Sequence, residues 1–200
     1  DNTTIIKTGS LVSQINDKSG LGNHMYQATS AYQPTLNTNT INGKQAITFS
    51  GGQYHLGYNN PVFATDRFTF FIVMKNGTTL TAGREIFATK FNDNTSSYWS
   101  VSQYADAKLD YKVMGKSANS TSVSQDVDFK NITSPHILSV SLDSSNIAQL
   151  KINGHDRGMI TGWNYVPGTH EYNLVGAGYT GGSVGLYSKT NIGEILYYVA

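Results

Sequence analysis

The chain has 200 residues, a formal net charge of +1, 14% charged residues and no cysteine. That length suits one domain with a core that folds without staples, and the missing cysteines exclude thiolate metal sites and cysteine nucleophiles. Lysines and arginines are scattered singly, so the electrostatic footprint of a nucleic-acid binder is absent.

Thr4 to Gly9 reads as a short edge strand and Leu11 to Ile15 as a second strand. Between them and the next element lies the turn-rich run Asn16-Asp17-Lys18-Ser19-Gly20-Leu21-Gly22-Asn23-His24, where Asp17 and Asn23 are placed to close local turns. Tyr32-Gln33-Pro34-Thr35-Leu36 is extended, because proline pushes the preceding residue out of the α region. Asn42-Gly43 signals a tight turn into Gln45 to Phe49, with Ile47 and Phe49 inward.

Arg67 to Met74 is the most apolar run and is expected to be a central strand covered on both faces. Glu85 to Lys90, Tyr98 to Gln103 and Lys108 to Val113 follow as strands. In the second of these, Trp99 and Val101 share one face, and Tyr98, Ser100 and Ser102 share the other, polar one. Lys116 to Gln125 is a loop or a weak edge strand.

The clearest pattern comes next. Leu138, Val140 and Leu142 alternate with serines, Asp143 to Asn146 turns the chain, and Ala148, Leu150 and Ile152 alternate with Gln149 and Lys151. A period of two buries one face of each strand and wets the other, as in an antiparallel sheet lying on a core. His155 to Glu171 is expected to be a long aromatic-bearing connection, Asn173 to Gly176 a short strand, and Gly176 to Gly185 a glycine-rich loop. Ile192 to Tyr198 closes the chain as a strand. The expected fold is therefore all-β: one antiparallel β-sandwich of jelly-roll type over residues 1–200.

Three of these segments resemble the concanavalin A-like lectin/glucanase superfamily in its laminin-G-like branch. They are the Asp17-x-Ser19-Gly20-x-Gly22-Asn23 run with Gln33-Pro34, then Asn42-Gly43-Lys44-x-Ala46-x-x-Phe49-x-Gly51, and finally Ile192 to Tyr198. In order and spacing they cover the chain from about residue 11 to its end. Ser50 stands where that strand often carries Asp or Asn, and Ile15 where an aromatic residue often precedes the opening Asp. The resemblance implies a jelly-roll fold and binding of glycans or protein partners, sometimes with calcium. It also implies a bacterial surface or bacteriophage structural setting, and hence an extracellular or virion-surface location. Asp17, Asn23 and Glu194 are expected to serve turns and strand ends within these signatures.

Catalytic chemistry finds little support. Glycoside hydrolysis needs two carboxylates about 5 to 9 Å apart, and the only glutamates, Glu85, Glu171 and Glu194, are far apart in sequence. Gly181-x-Ser183-x-Gly185 matches the letters of a nucleophile elbow but lacks its strand-turn-helix context, and the five histidines show no ligand spacing. The chain is expected not to be an enzyme.

Glycan binding needs aromatic platforms with amides or hydroxyls beside them. The candidates are Trp163, Asn164 and Tyr165 in the long connection, Tyr98 on the polar face of its strand, and Tyr179. Calcium is a candidate at Asn92, Asp93 and Asn94, or at Asn153 and Asp156, where loop oxygens gather. The expected partners are a surface polysaccharide or glycan and other virion or surface proteins. Nucleic acid is not expected, nor is membrane insertion, since no stretch approaches 18 consecutive apolar residues. The opening Asp1-Asn2-Thr3-Thr4 lacks signal-peptide character, so export by another route, or excision from a longer protein, is expected. A structural protein that assembles through its sandwich is the alternative function, and a polysaccharide hydrolase the third.

Overall fold

The computed structural model describes residues 4–58, 67–77, 84–91, 98–103, 111–116, 123–127, 133–161, 170–180 and 183–199. In chain order its strands are β1 (Ile5–Thr8), β2 (Leu11–Ile15), β3 (Met25–Tyr26), β4 (Thr35–Ile41), β5 (Lys44–Ser50), β6 (His55–Tyr58), β7 (Phe68–Asn76), β8 (Arg84–Phe91) and β9 (Tyr98–Gln103). They continue as β10 (Tyr111–Lys116), β11 (Val123–Val127), β12 (His136–Leu142), β13 (Ala148–Ile152), β14 (His155–Ile160), β15 (His170–Val175), β16 (Gly178–Thr180), β17 (Ser183–Gly185) and β18 (Lys189–Val199). Ser30–Tyr32 forms a short 3-10 turn between β3 and β4.

Hydrogen bonding runs as one antiparallel path, β11-β10-β9-β8-β15-β6-β3-β2-β4-β5-β18-β7-β12-β13-β14, with β1 beside β2. β2 meets β4 through the single pair Leu11 and Thr35. There it folds over, so the strands from β11 to β2 form a front layer and those from β4 to β14 a back layer. This is the expected jelly-roll sandwich, two pleated sheets face to face.

Aromatic side chains join the layers. Trp99 of β9 stacks on Phe68 of β7 at 4.7 Å between centroids and meets Phe70 edge-on at 5.3 Å, while Phe87 of β8 lies 4.9 Å from Phe70. Leu138, Val140, Leu150 and Ile152 are buried in the same cluster, as their alternation requires. The Asn-Gly turns also form as expected, with positive φ at Asn42 and Gly43 and at Asn153 and Gly154.

Three expectations are corrected, and two short strands are added to those expected. β7 is not covered on both faces: Phe68, Phe70, Ile72 and Met74 are buried, while Thr69, Phe71, Val73 and Lys75 are half-buried on the outer side of the sandwich. Its continuous apolar run reflects lateral packing between strands, such as Phe71 against Tyr198 of β18 at 6.2 Å, not a second covering layer. The start of the supposed long connection, His155–Ile160, is strand β14 paired with β13, because the Asn153-Gly154 turn returns the chain onto its neighbour. The glycine-rich stretch holds the small hairpin β16-β17. Finally, the short strands β3 and β6 pair with each other and with β2 and β15, although their sequences give no alternation long enough to read.

The opening turn is organised by Asp17. Its Oδ1 accepts the Ser19 amide at 2.8 Å, and its Oδ2 accepts the Ser19 hydroxyl and, at 3.0 Å, the Asn23 amide. The Asp17 amide in turn donates to His24 Nδ1 at 3.0 Å. Asp17 and Asn23 therefore serve the turn, as expected of that signature.

Two outcomes follow. Burial pushes the Asp17 carboxyl up, but the hydrogen bonds from Ser19 and Asn23, with His24 nearby, outweigh it and hold the group below its ordinary value. A depressed folded pKa adds stability above the unfolded value of about 3.9, and that stability disappears as pH falls through the folded value. Chemical denaturation from pH 6 down to pH 2.5 should therefore show the advantage of the native chain over Asp17→Asn shrinking with acid. A gap that does not change with pH would contradict this. Separately, Gly176 has φ +84, and an added Cβ would lie 2.2 Å from Phe49 Cδ1. Gly176→Ala should cost about 2–4 kcal/mol in urea unfolding, from overpacking plus left-handed strain.

Candidate functional site

The outward face of the front layer is where polar chemistry gathers. By register, Ser102 lies opposite Glu85, and Ser100 opposite Ala88, which in turn lies opposite Leu174. Pairs directly opposite share a face, so these five side chains point away from the core. All five are nonetheless buried. The polar face of Ser100 and Ser102 is thus covered, with Tyr54 and Val184 packed onto the neighbouring Ala88 and Leu174 from outside. The β16-β17 hairpin closes in at the same place. A Cβ on Gly178 would fall 1.7 Å from Glu85 Oε2, so only glycine lets the hairpin approach β8 this closely.

Three tyrosines from distant segments meet here. Tyr32 and Tyr54 have ring centroids 5.6 Å apart with a 37° tilt, and Tyr54 and Tyr187 are 6.0 Å apart with a 35° tilt. Tyr32 is the open end of the row, 43% exposed, while Tyr54 and Tyr187 are half-buried.

Each ring is held by a local device. Tyr32 ends the 3-10 turn, and its carbonyl accepts the Tyr54 amide at 3.0 Å. Behind it, buried Gln33 donates to the Gln27 carbonyl at 2.8 Å, and Gln27 donates to the Tyr54 carbonyl at 3.3 Å while accepting the Thr29 amide at 3.0 Å. The Gln33-Pro34 signature therefore braces two of the three rings.

Tyr187 is fixed differently. The Glu85 amide donates to Leu186 O at 2.9 Å, and the Ser188 amide donates to Gly176 O at 2.8 Å, pinning the chain on both sides of it. Leu186 itself takes φ +51. A branched apolar residue in the left-handed region is strained by about 1–3 kcal/mol, and such strain concentrates at working sites.

The phenol oxygens also influence one another. Burial pushes the Tyr187 hydroxyl up, and the neighbouring Tyr54 and Tyr32 hydroxyls push it the same way. Tyr187 thus stays protonated and donates to Val184 O at 3.3 Å. Close by on the sheet, the buried Ser100 and Ser102 hydroxyls have no hydrogen-bond partner, and neither does that of Ser188. The assembly offers tyrosine rings with their phenol hydroxyls above enclosed serine hydroxyls and, among the described residues, no cluster of three acidic or histidine side chains. Glu85 is buried on the front layer, and Glu194 is exposed on β18 in the back layer.

Most of the sequence candidates fall elsewhere. Trp163, Asn164 and Tyr165 lie outside the described residues, as do Asn92, Asp93 and Asn94. Tyr98 opens β9 opposite Lys116 of β10. Tyr179 sits on β16 opposite Val184, in the hairpin that borders the tyrosine row.

Asn153 Oδ1 accepts the Ile137 amide at 2.9 Å, and Asp156 Oδ1 accepts from Lys151 Nζ at 3.2 Å and Gln149 Nε2 at 3.0 Å. These oxygens tie β12, β13 and β14 together, and a calcium ion at Asp156 would have to displace the Lys151 ammonium. Among the described residues no three His, Asp or Glu side chains gather as a metal site. Tyr32, Tyr54 and Tyr187 were not singled out from sequence. Tyr32 abuts the Gln-Pro signature, but nothing in the chain pairs it with residues 54 and 187.

No family model and no curated protein matches the sequence. Solved structures do match in shape. The Ruminococcus gnavus IT-sialidase CBM40 superposes with a TM-score of 0.62 at 13% identity, covering 76% of this chain and 89% of that one. The same module has been solved bound to α2,3-sialyllactose. The heptameric SAP-like pentraxin of Limulus polyphemus gives 0.56 at 14% identity, covering 76% and 74%. The binding domain of Paraclostridial Mosquitocidal Protein 1 gives 0.66 at 11% identity, covering 94% of this chain but 48% of that one. At such low identity these likenesses establish the fold alone: the chain is a jelly-roll β-sandwich of the kind shared by these modules.

Proposed function

We propose that the protein is a non-catalytic glycan-binding module whose ligand lies on the Tyr32, Tyr54 and Tyr187 row. The observation that carries this is the convergence of three rings from three distant segments, braced by buried glutamines and by a strained leucine, beside buried hydroxyls without partners. A tyrosine face matches the C–H face of a sugar, and its hydroxyl stays wet at the rim. A similar structure carrying sialyllactose supports the same ligand class. Trp163, Asn164 and Tyr165 are proposed as further contacts, and Tyr179 as the hairpin's own contribution. Assignment to the laminin-G-like branch, and display on a virion or bacterial surface, also belong to this proposal. The Asp17–Asn23, Asn42–Gly51 and Ile192–Tyr198 motifs support the first, and the cysteine-free, Ser-, Thr- and Asn-rich composition supports the second.

On a glycan array Tyr54→Ala should lose binding at least tenfold, while Tyr54→Phe, which keeps the ring, should lose far less. Equal binding by the native chain and Tyr54→Ala, with unchanged circular dichroism, would remove the site. Trp163→Ala on the same array tests the proposed contribution of Trp163.

One observation favours the assembly alternative. On the outer side of the back layer Ile137, Leu196 and Tyr198 are 45%, 37% and 56% exposed, beside half-buried Phe71 and Val73. Contiguous apolar surface of this kind marks contact faces. If the sandwich assembles through it, light scattering should give an oligomer that Leu196→Asp returns to monomer. A monomer at all concentrations would discard this alternative.

A further inference from the structure

Where β5 and β7 end and β18 begins, the back layer holds a cleft of about 330 Å³ whose lining includes Thr48, Ser50, Gly77, Lys189 and Asn191. Thr48 is opposite Asn191, Asn191 opposite Lys75, and Ser50 opposite Lys189, while the intervening Phe49 belongs to the core. These polar side chains therefore share the outward face. Their hydrogen bonds leave N–H donors over. The Thr48 hydroxyl donates to Asn191 Oδ1 at 2.7 Å and accepts from Asn37 Nδ2 at 2.8 Å, and the Ser50 hydroxyl donates to Gln53 Oε1 at 3.0 Å. Asn191 Nδ2 donates to the Lys75 carbonyl at 3.3 Å, which fixes the orientation of that amide. Its second N–H and the Lys189 ammonium have no partner among the described residues.

The Lys189 stem lies between two glycines. A Cβ on Gly51 would fall 3.1 Å from Lys189 Cε, and one on Gly77 3.4 Å from Lys189 Cβ. Gly51 takes φ +101 and needs glycine for its backbone, but Gly77 has no such angle, so what its missing side chain provides is room beside Lys189. No carboxylate is among the described lining residues. Glu194 stands opposite Val73, past Lys75 and away from Lys189.

We infer that this cleft binds an oxyanion, the carboxylate or sulfate group of an acidic glycan. Lys189 supplies the charge, Lys75 on the same face adds to it, and Asn191 offers an oriented N–H. That the anion is carried by a glycan rests on the function proposed above, to which the cleft adds the class of ligand. Lys189 is two residues from Tyr187 in the chain, so their Cα atoms lie at most about 7 Å apart. The cleft is thus within the length of a short saccharide from the three tyrosines.

An array carrying neutral glycans beside their carboxylated and sulfated counterparts tests the idea, with millimolar inorganic sulfate followed by amide NMR as the free-anion arm. The native chain should bind the acidic members about three- to tenfold more tightly than the neutral ones. Lys189→Gln, at an exposed position, should bring acidic binding down to the neutral level, and Lys189→Arg should keep the preference. Sulfate should shift the Gly77 and Asn191 amides of the native chain but not those of Lys189→Gln. Equal binding of acidic and neutral counterparts, lost in Tyr54→Ala, would overturn the anion cleft while keeping the glycan site, and so would an acidic preference that survives Lys189→Gln. Sulfate shifts without binding to any glycan would keep an anion site and overturn its glycan ligand. Neither sulfate shifts nor a bound glycan would overturn both.

Discussion

The sandwich hangs on the aromatic contact between its layers. Trp99 is fully buried among Phe68, Phe70 and Phe87, with Tyr197 stacked at 6.4 Å. Rings of this size each bury 150 Å² or more, about 3 to 5 kcal/mol lost on truncation to alanine, and offset or edge-on pairs add about 0.5 to 1.5 kcal/mol. That gain offsets an unsatisfied Trp99 Nε1, which finds no partner in the core. Because β9 and β8 are clamped inward through Trp99 and Phe87, their opposite faces are presented outward in a fixed register. Everything on the front of the molecule is built on that register.

What the register presents is unusual for an outer sheet face. Serines, a glutamate and small apolar residues lie there, yet they are buried beneath Tyr54, Val184 and the β16-β17 hairpin. A sheet face covered by its own loops is a place where polar groups can be kept dry and aimed. Gly178 and Gly176 permit the close approach, one against Glu85 and one against Phe49. The hairpin is thus as much part of the core's edge as of the surface, and it ends where Leu186 turns the chain to set Tyr187 in place.

The back layer has a different character. β18 lies between β5 and β7, with a bulge at Gly193 that resets its alternation before Glu194. Beyond the bulge Leu196 and Tyr198 face outward over Phe71. One side of the molecule therefore carries a braced row of tyrosines and the other an open apolar stripe, and the two are separated by the whole thickness of the sandwich. Ligand binding on one layer need not disturb contacts made through the other.

Local chemistry was legible wherever it acts over a few residues. The alternation of Leu138 to Ile152, the Asn42-Gly43 and Asn153-Gly154 turns, and the carboxylate of Asp17 all work within one hairpin or one loop, so the residues announce the structure. β3 and β6 did not announce themselves, since strands of two and four residues carry no period. β14 was hidden because its outward residues, His155 to Arg157, are exposed and polar, like those of a loop. The tyrosine row was beyond sequence altogether. Each of its rings is an ordinary rim residue in its own segment, and only long-range pairing across β6, β15 and β8 brings them within stacking distance. Composition and period decided that this chain would be two pleated layers, because burial of alternate side chains is a nearest-neighbour matter. Tertiary structure alone decided where three distant rings would meet, because that depends on the order in which strands join the sheet.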